Sequence, residues 1–255
     1  MRVRILGCGT STGVPKIGNE WGQCDPNEPR NYRLRTSILV ESLGQRMLVD
    51  CGPDLRQQLL AAEVSRLDGV IVTHTHGDHC HGIDELRPVS QAIGGPLPLH
   101  ARRDVLDELQ ERFAYVFAQS DFYRPIATAR ELEEELRFGD ATVRFVDQPH
   151  GGPISLGLRF DEVRASVAYA VDFSELSDDM AELYRGADVW IADCLTRKPH
   201  PTHMHLDGVL GFARELQVGQ LYLVHMGNGL DYRTLAAELP DWAAPAYDGL
   251  EIEVG

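Results

Sequence analysis

Apolar residues fall into short β-branched runs divided by polar turns, and between them lie stretches of helical spacing. "RVRILGCG" (2–9) reads as an opening strand stopped by glycine. "TSILVES" and "QRMLVDCG" read as a hairpin turning at Leu43-Gly44. Ahead of the hairpin runs "GTSTGVPKIGNEWGQCDPNEPRN", rich in Gly, Pro and polar residues, and loops of this length are usually functional or disordered. Pro53 opens a helix, "PDLRQQLLAAE", at the first turn where its missing N–H costs nothing.

Further along, "GVIVT" and "PLPLHA" read as strands. Val105, Leu106, Leu109, Phe113, Val116 and Phe117 recur at helical spacing, which predicts one helix over 103–117. "ATVRFVDQPH", "GLRF" and "ASVAYAVD" read as strands, and "SELSDDMAELYRG" as a helix opened by a serine cap with Glu in its first turn. Strand, helix, strand and helix follow in "ADVWIADCL", "LDGVLGFARELQ", "GQLYLVH" and "DYRTLAAEL". Antiparallel-like strands early and alternating elements later predict two sheets covered by outer helices, in one domain over residues 1–255.

Charge narrows the function. The net charge is -15, whereas a duplex-binding surface normally carries basic excess, so duplex nucleic acid is not an expected partner. The five cysteines are scattered, with no pair at zinc-finger spacing, which predicts reduced thiols and a cytoplasmic protein. "MRVRILGC" lacks the apolar core of a signal peptide, and no run reaches membrane-spanning length.

The chemistry concentrates in "GVIVTHTHGDHCHGID". His74 and His76, two apart in an extended segment, point the same way and can face one ion. Asp78 and His79 follow at once, and if the chain turns into a helix there, the pair points elsewhere and can hold a second ion beside the first. Neutral imidazole with carboxylate suits zinc, manganese or iron. His150, Asp172 and His225 each close an apolar strand and complete the candidate set. Asp50 closes another strand, where it could orient a ligand imidazole or cap the following helix.

"DCGPDLR", the "THTHGDH" box, His150, Asp172 and His225, in this order, resemble the metallo-β-lactamase superfamily over nearly the whole chain. The resemblance implies an α/β fold, the αβ/βα four-layer sandwich with two mixed sheets. It implies two divalent metal ions, Zn or Mn: one on His74, His76 and His150, the other on Asp78, His79 and His225, with Asp172 bridging. "ILGCGTSTGVP", "DHCHGIDELR" and "KPHPTHMHLDGVL" are similar to the PhnP-like phosphoribosyl cyclic phosphate phosphodiesterases. That branch implies a dinuclear phosphodiesterase hydrolysing a small cyclic phosphodiester through a hydroxide between the metals. Asp78 and His203 are its catalytic candidates, His203 as general acid or phosphate contact. PhnP itself carries clustered N-terminal cysteines and a further late histidine that build a separate structural zinc site. Here the loop offers only Cys24, and Asn228 stands where that histidine would be, so no structural zinc is expected. The same centre could serve tRNA 3′-end processing, a thioesterase or a lactonase. The expected partner is a small phosphodiester, with no membrane, and a homodimer is compatible with the sequence.

Overall fold

The computed structural model describes residues 1–255 as two seven-stranded sheets. The first contains β1 (Arg2–Gly7), β2 (Ser37–Ser42), β3 (Gln45–Val49), β4 (Gly69–Ile71), β5 (Leu97–Ala101), β6 (Ala127–Glu131) and the late β14 (Glu251–Glu253), which lies beside β1 at one edge. The second runs from β7 (Leu136–Phe138) through β8 (Ala141–Pro149), β9 (Ile154–Glu162), β10 (Ala165–Ala170), β11 (Val189–Asp193) and β12 (Gln220–Val224) to β13 (Ala243–Pro245), side by side in chain order. Each sheet is antiparallel at one end and parallel at the other. β3, β4, β5 and β6 pair in parallel, and so do β10, β11, β12 and β13.

Alternation along the strands explains the layers. Val3, Ile5, Ile38, Val40, Met47 and Val49 point into one buried cluster shared with Val143, Leu158 and Val167 of the other sheet. The residues between them, Leu39 and Leu48, point the other way into a second cluster beneath helices α1 (Leu55–Ala61), α3 (Leu86–Ile93) and α4 (Arg103–Arg112). Strands covered on both faces read as continuous apolar runs, as these do. Helices α6 (Asp178–Tyr184), α7 (Leu206–Glu215) and α8 (Tyr232–Glu238) pack on the second sheet. This is the four-layer sandwich the sequence predicts. No helix is long and apolar enough to cross a membrane. All five cysteines are free and buried.

Two local expectations need correction. The helix predicted over 103–117 is broken into α4 and α5 (Ala114–Phe117), because Phe113 leaves helical geometry at φ -125 and ψ 42. Its ring lies edge-on to His81 at 5.9 Å, so a tertiary contact competes with the helical periodicity. The serine cap of α6 is Ser177, which accepts from the Met180 amide, not the Ser174 that opens the segment, and its first turn carries Asp178 and Asp179 instead of Glu. The turn at Leu43-Gly44 is as expected, with φ of 47 and 76 at the two positions.

The end of β3 and the histidine box that follows β4 are joined by backbone. The Cys51 amide donates to the His79 carbonyl, and the Gly82 amide to the Cys51 carbonyl, each at 2.8 Å. A Cβ at Gly52 would stand 2.0 Å from the Asp78 carbonyl oxygen, and one at Gly82 1.9 Å from the Gly52 carbonyl oxygen. Neither neighbour is a flexible side-chain tip. Gly82→Ala is therefore expected to destabilise the fold by at least about 1–3 kcal/mol, the usual cost of overpacking. Urea unfolding measures it, and an unchanged midpoint would show that this contact relaxes freely.

Candidate metal centre

The site residues sit just beyond the C-terminal ends of strands, where open α/β sheets characteristically bind ligands. Asp50 follows β3, His74 and His76 follow β4, His150 follows β8, Asp172 follows β10 and His225 follows β12. Asp50, Asp172 and His225 hold left-handed backbone angles, φ 64, 55 and 55. Non-glycine residues persist there only when their surroundings over-determine them, and such strain collects at functional sites.

After His76 the chain does turn helical, as α2 (Gly77–Cys80). The change from extended to helical geometry sets Asp78 and His79 among different donors from His74 and His76, although the His79 ring still lies 4.3 Å from that of His74. Three groups of donor atoms lie within 4.8 Å of one another: His74, His76, His150 and Asp172; Asp78, His79, Asp172 and His225; and, overlapping the second, Asp172, Asp193, His203 and His225. Asp172 belongs to all three. Its Oδ2 stands 3.3 Å from the Nε2 atoms of His74 and His150, and its Oδ1 stands 3.2 Å from His225 Nε2. Asp78 Oδ2 lies 3.3 Å from His79 Nε2 and 3.4 Å from His225 Nε2.

Several imidazoles are anchored through Nδ1, which leaves Nε2 free to face inward. His150 Nδ1 donates to the Thr202 carbonyl at 2.7 Å. His79 Nδ1 meets Asp50 Oδ2 at 2.7 Å, and His74 Nδ1 meets the Thr73 hydroxyl at 3.0 Å. Asp50 also accepts the Thr73 amide and hydroxyl at 2.8 and 3.0 Å. Of its two sequence readings, the orienting one holds: the residue preceding α1 is Asp54. Buried His74 Nε2, His79 Nε2 and Asp172 Oδ1 have no hydrogen-bond partner. Unpartnered nitrogens and a carboxylate oxygen converging in a buried pocket fit divalent cations, and the N/O donor set fits zinc or manganese.

His203 is brought to the same place from the loop before α7. Its ring is 4.8 Å from that of His150 and stacks on His225 at 5.0 Å. Its Nδ1 lies 2.9 Å from Asp193 Oδ2. Asp193, fully buried at the end of β11, is a site residue missed in the sequence. The signal was available, because "VWIAD" is an apolar strand closed by aspartate, as "AYAVD" is. The other histidines are peripheral: His205 precedes α7, His81 packs on Phe113, His100 lies on β5, and His200 is exposed. Trp21 is half-buried, and its indole N–H donates to Asn19.

Electrostatics without cations place protons on imidazoles. Burial works against charge on His79, but Asp172, Asp50 and Asp78 outweigh it and raise its pKa well above the ordinary range. His225 is likewise raised to about 9, with burial opposed by Asp172 and Asp78. Burial lowers His74, and lowers His150 to about 4. For Asp172, burial pushes upward, yet His225 and His79 hold it well below the usual carboxylate range.

Metal-binding imidazoles must be neutral. Cation uptake at pH 7 is therefore expected to release protons from His79 and His225. Apparent affinity should rise with pH through about 9, where His225 is half deprotonated, and further for as long as His79 still carries a proton. Calorimetric titration in buffers of different ionisation enthalpy measures the release, and buffer-independent heats would contradict this charge state.

The beta-lactamase superfamily domain matches residues 45–226. An octanoyltransferase of Porphyromonas gingivalis is 32% identical over 98% of this chain, which spans about half (51%) of that curated relative. The crystal structure of a diphosphatase from the PhnP family superposes with a TM-score of 0.90 at 33% identity, covering 99% of this chain and 97% of its own. Human tRNase Z, short form, superposes over both full lengths with a TM-score of 0.73 at 18% identity, a likeness of fold. The chain belongs to the beta-lactamase superfamily.

Proposed function

We propose that residues 1–255 act as one dinuclear-metal phosphodiesterase domain, hydrolysing a small cyclic phosphodiester such as a phosphoribosyl or nucleotide derivative. The observation carrying this reading is the pair of four-donor groups sharing Asp172, with the His203–Asp193 pair alongside. His74, His76 and His150 would hold one cation, Asp78, His79 and His225 the other, and Asp172 both. Divalent cations there would supply Lewis-acid stabilisation and water activated near neutral pH.

The protein's own residues supply the rest. Asp193 fixes the His203 ring through Nδ1, which leaves Nε2 as the nitrogen that carries a proton to the departing oxygen. Asp78, held between His79 and His225, keeps those two rings at a common angle, 24° between planes. Similarity over nearly the whole chain to a diphosphatase supports a phosphoryl substrate. The likeness to human tRNase Z favours tRNA 3′-end processing as the second reading. The net charge of -15 opposes it, because tRNA binding draws on a basic surface. A gel shift with tRNA beside a panel of cyclic and linear phosphodiesters separates the two. Thioester and lactone substrates complete the panel. Turnover of those alone, or tRNA cleavage without turnover of small diesters, overturns the proposal.

Metal analysis tests the ligand assignment. Asp172→Ala should lose both ions and Asp78→Ala mainly one; equal losses would remove Asp172 from its shared role.

His203→Ala should keep both ions and lower kcat by about 10²–10⁴, the usual worth of general acid catalysis. The deficit should shrink for p-nitrophenyl esters, whose leaving group departs without a proton. Equal deficits for good and poor leaving groups would make His203 a phosphate contact instead.

A further inference from the structure

Arg33 lies outside every motif of the site, yet it is 1% exposed. Its guanidinium is met by dipoles instead of a carboxylate. Nη1 donates to the Gly227 carbonyl at 3.1 Å, and Nη2 to the Leu230 carbonyl at 2.6 Å and Asn31 Oδ1 at 3.3 Å. Cys24 Sγ lies 3.9 Å from Nη1 and itself faces the Asn228 and Leu230 carbonyls, each at 3.5 Å. Asn31 carries the connection onward, donating to Asp231 at 2.7 Å and accepting the Tyr232 amide at 2.8 Å. The carbonyls so gathered belong to the turn directly after His225.

That turn has a task. His225 holds a left-handed φ of 55, a strained conformation that its surroundings must enforce. Upstream, β12 ends at Val224, whose carbonyl accepts the Cys194 amide at 2.9 Å. Downstream, Met226 is held by Cys8 and Thr10, and the carbonyls of Gly227 and Leu230 by the two arms of one guanidinium. We propose that Arg33 is a positioning residue for the His225 half of the metal centre. Its planar fork spans the turn and keeps His225 Nε2 aimed at Asp78 and Asp172. A lysine cannot do this, because a point ammonium on a flexible stem does not bridge two carbonyls at fixed spacing. The inference rests on the dinuclear reading, and it assigns the segment between the long N-terminal loop and β2 a role in that centre.

Arg33→Gln and Arg33→Lys test it, with metal-free protein checked for folding by near-ultraviolet circular dichroism. Zinc or manganese titration should show one ion bound as in the wild type and the other at least about tenfold more weakly, the scale on which outlying partners of metal ligands act. Amide hydrogen exchange at residues 226–231 should speed up in the metal-free variants. Loss of general stability alone would lower the melting temperature and leave the ratio of the two affinities unchanged. Both ions bound as in the wild type, both weakened equally, or unchanged exchange at 226–231 overturns the proposal. If Arg33→Gln does not fold, Arg33→Lys, which keeps the charge without the fork, decides it by the same two readouts. Wild-type protein taking up fewer than two ions would instead defeat the dinuclear reading itself.

Discussion

Burying carboxylates is the constraint on which the rest depends. Asp50, Asp172 and Asp193 are 0, 2 and 0% exposed and lie together with Asp78 where the two sheets end. Withdrawing ionised carboxylates from water is tolerable only when each is paired and hydrogen-bonded. Imidazoles supply part of that compensation, and the atoms without partners mark where more positive charge belongs. Once the carboxylates are fixed, the histidines have little freedom. His79 is tied to Asp50 and His203 to Asp193, so their remaining ring nitrogens have one direction to face.

A rigid platform makes such crowding possible. Both sheets are covered on two faces, and the site hangs from the ends of strands that cannot shift without disturbing the core. Strain at Asp50, Asp172 and His225 is sustained by this framework. Loops then add what the platform lacks. The segment before α7 delivers His203 and the Thr202 carbonyl, and the segment ahead of β2 delivers Arg33. Division of labour between strand ends and loops fits a superfamily in which one metal centre serves several chemistries, since the loops can vary while the platform stays.

Much of this was legible in the sequence. The box "THTHGDH" after an apolar strand, and later strands closed by His150, Asp172 and His225, announce the donor set because ligand chemistry and strand periodicity are local properties. Local patterns also yielded β1 to β5 and β8 to β12, while the helix after His76 entered only as a condition on where Asp78 and His79 point. They failed where tertiary contacts compete with local preference. Phe113 leaves its helix beside His81, β7, β13 and β14 are three-residue strands paired at the sheet edges, and β6 is an edge-side strand of five residues with mostly polar side chains.

By itself the sequence determined the fold class and the chemical kind of the centre, because both follow from which residue types recur at which spacing. Only the tertiary structure decided the pairings. Asp50 orients His79 and does not cap a helix, Asp193 fixes His203, and Arg33 grips the turn after His225 across 194 positions of chain. No spacing rule connects such residues. Their contacts exist because strands distant in sequence end side by side, and a buried polar group takes its partner from whatever the fold places within reach.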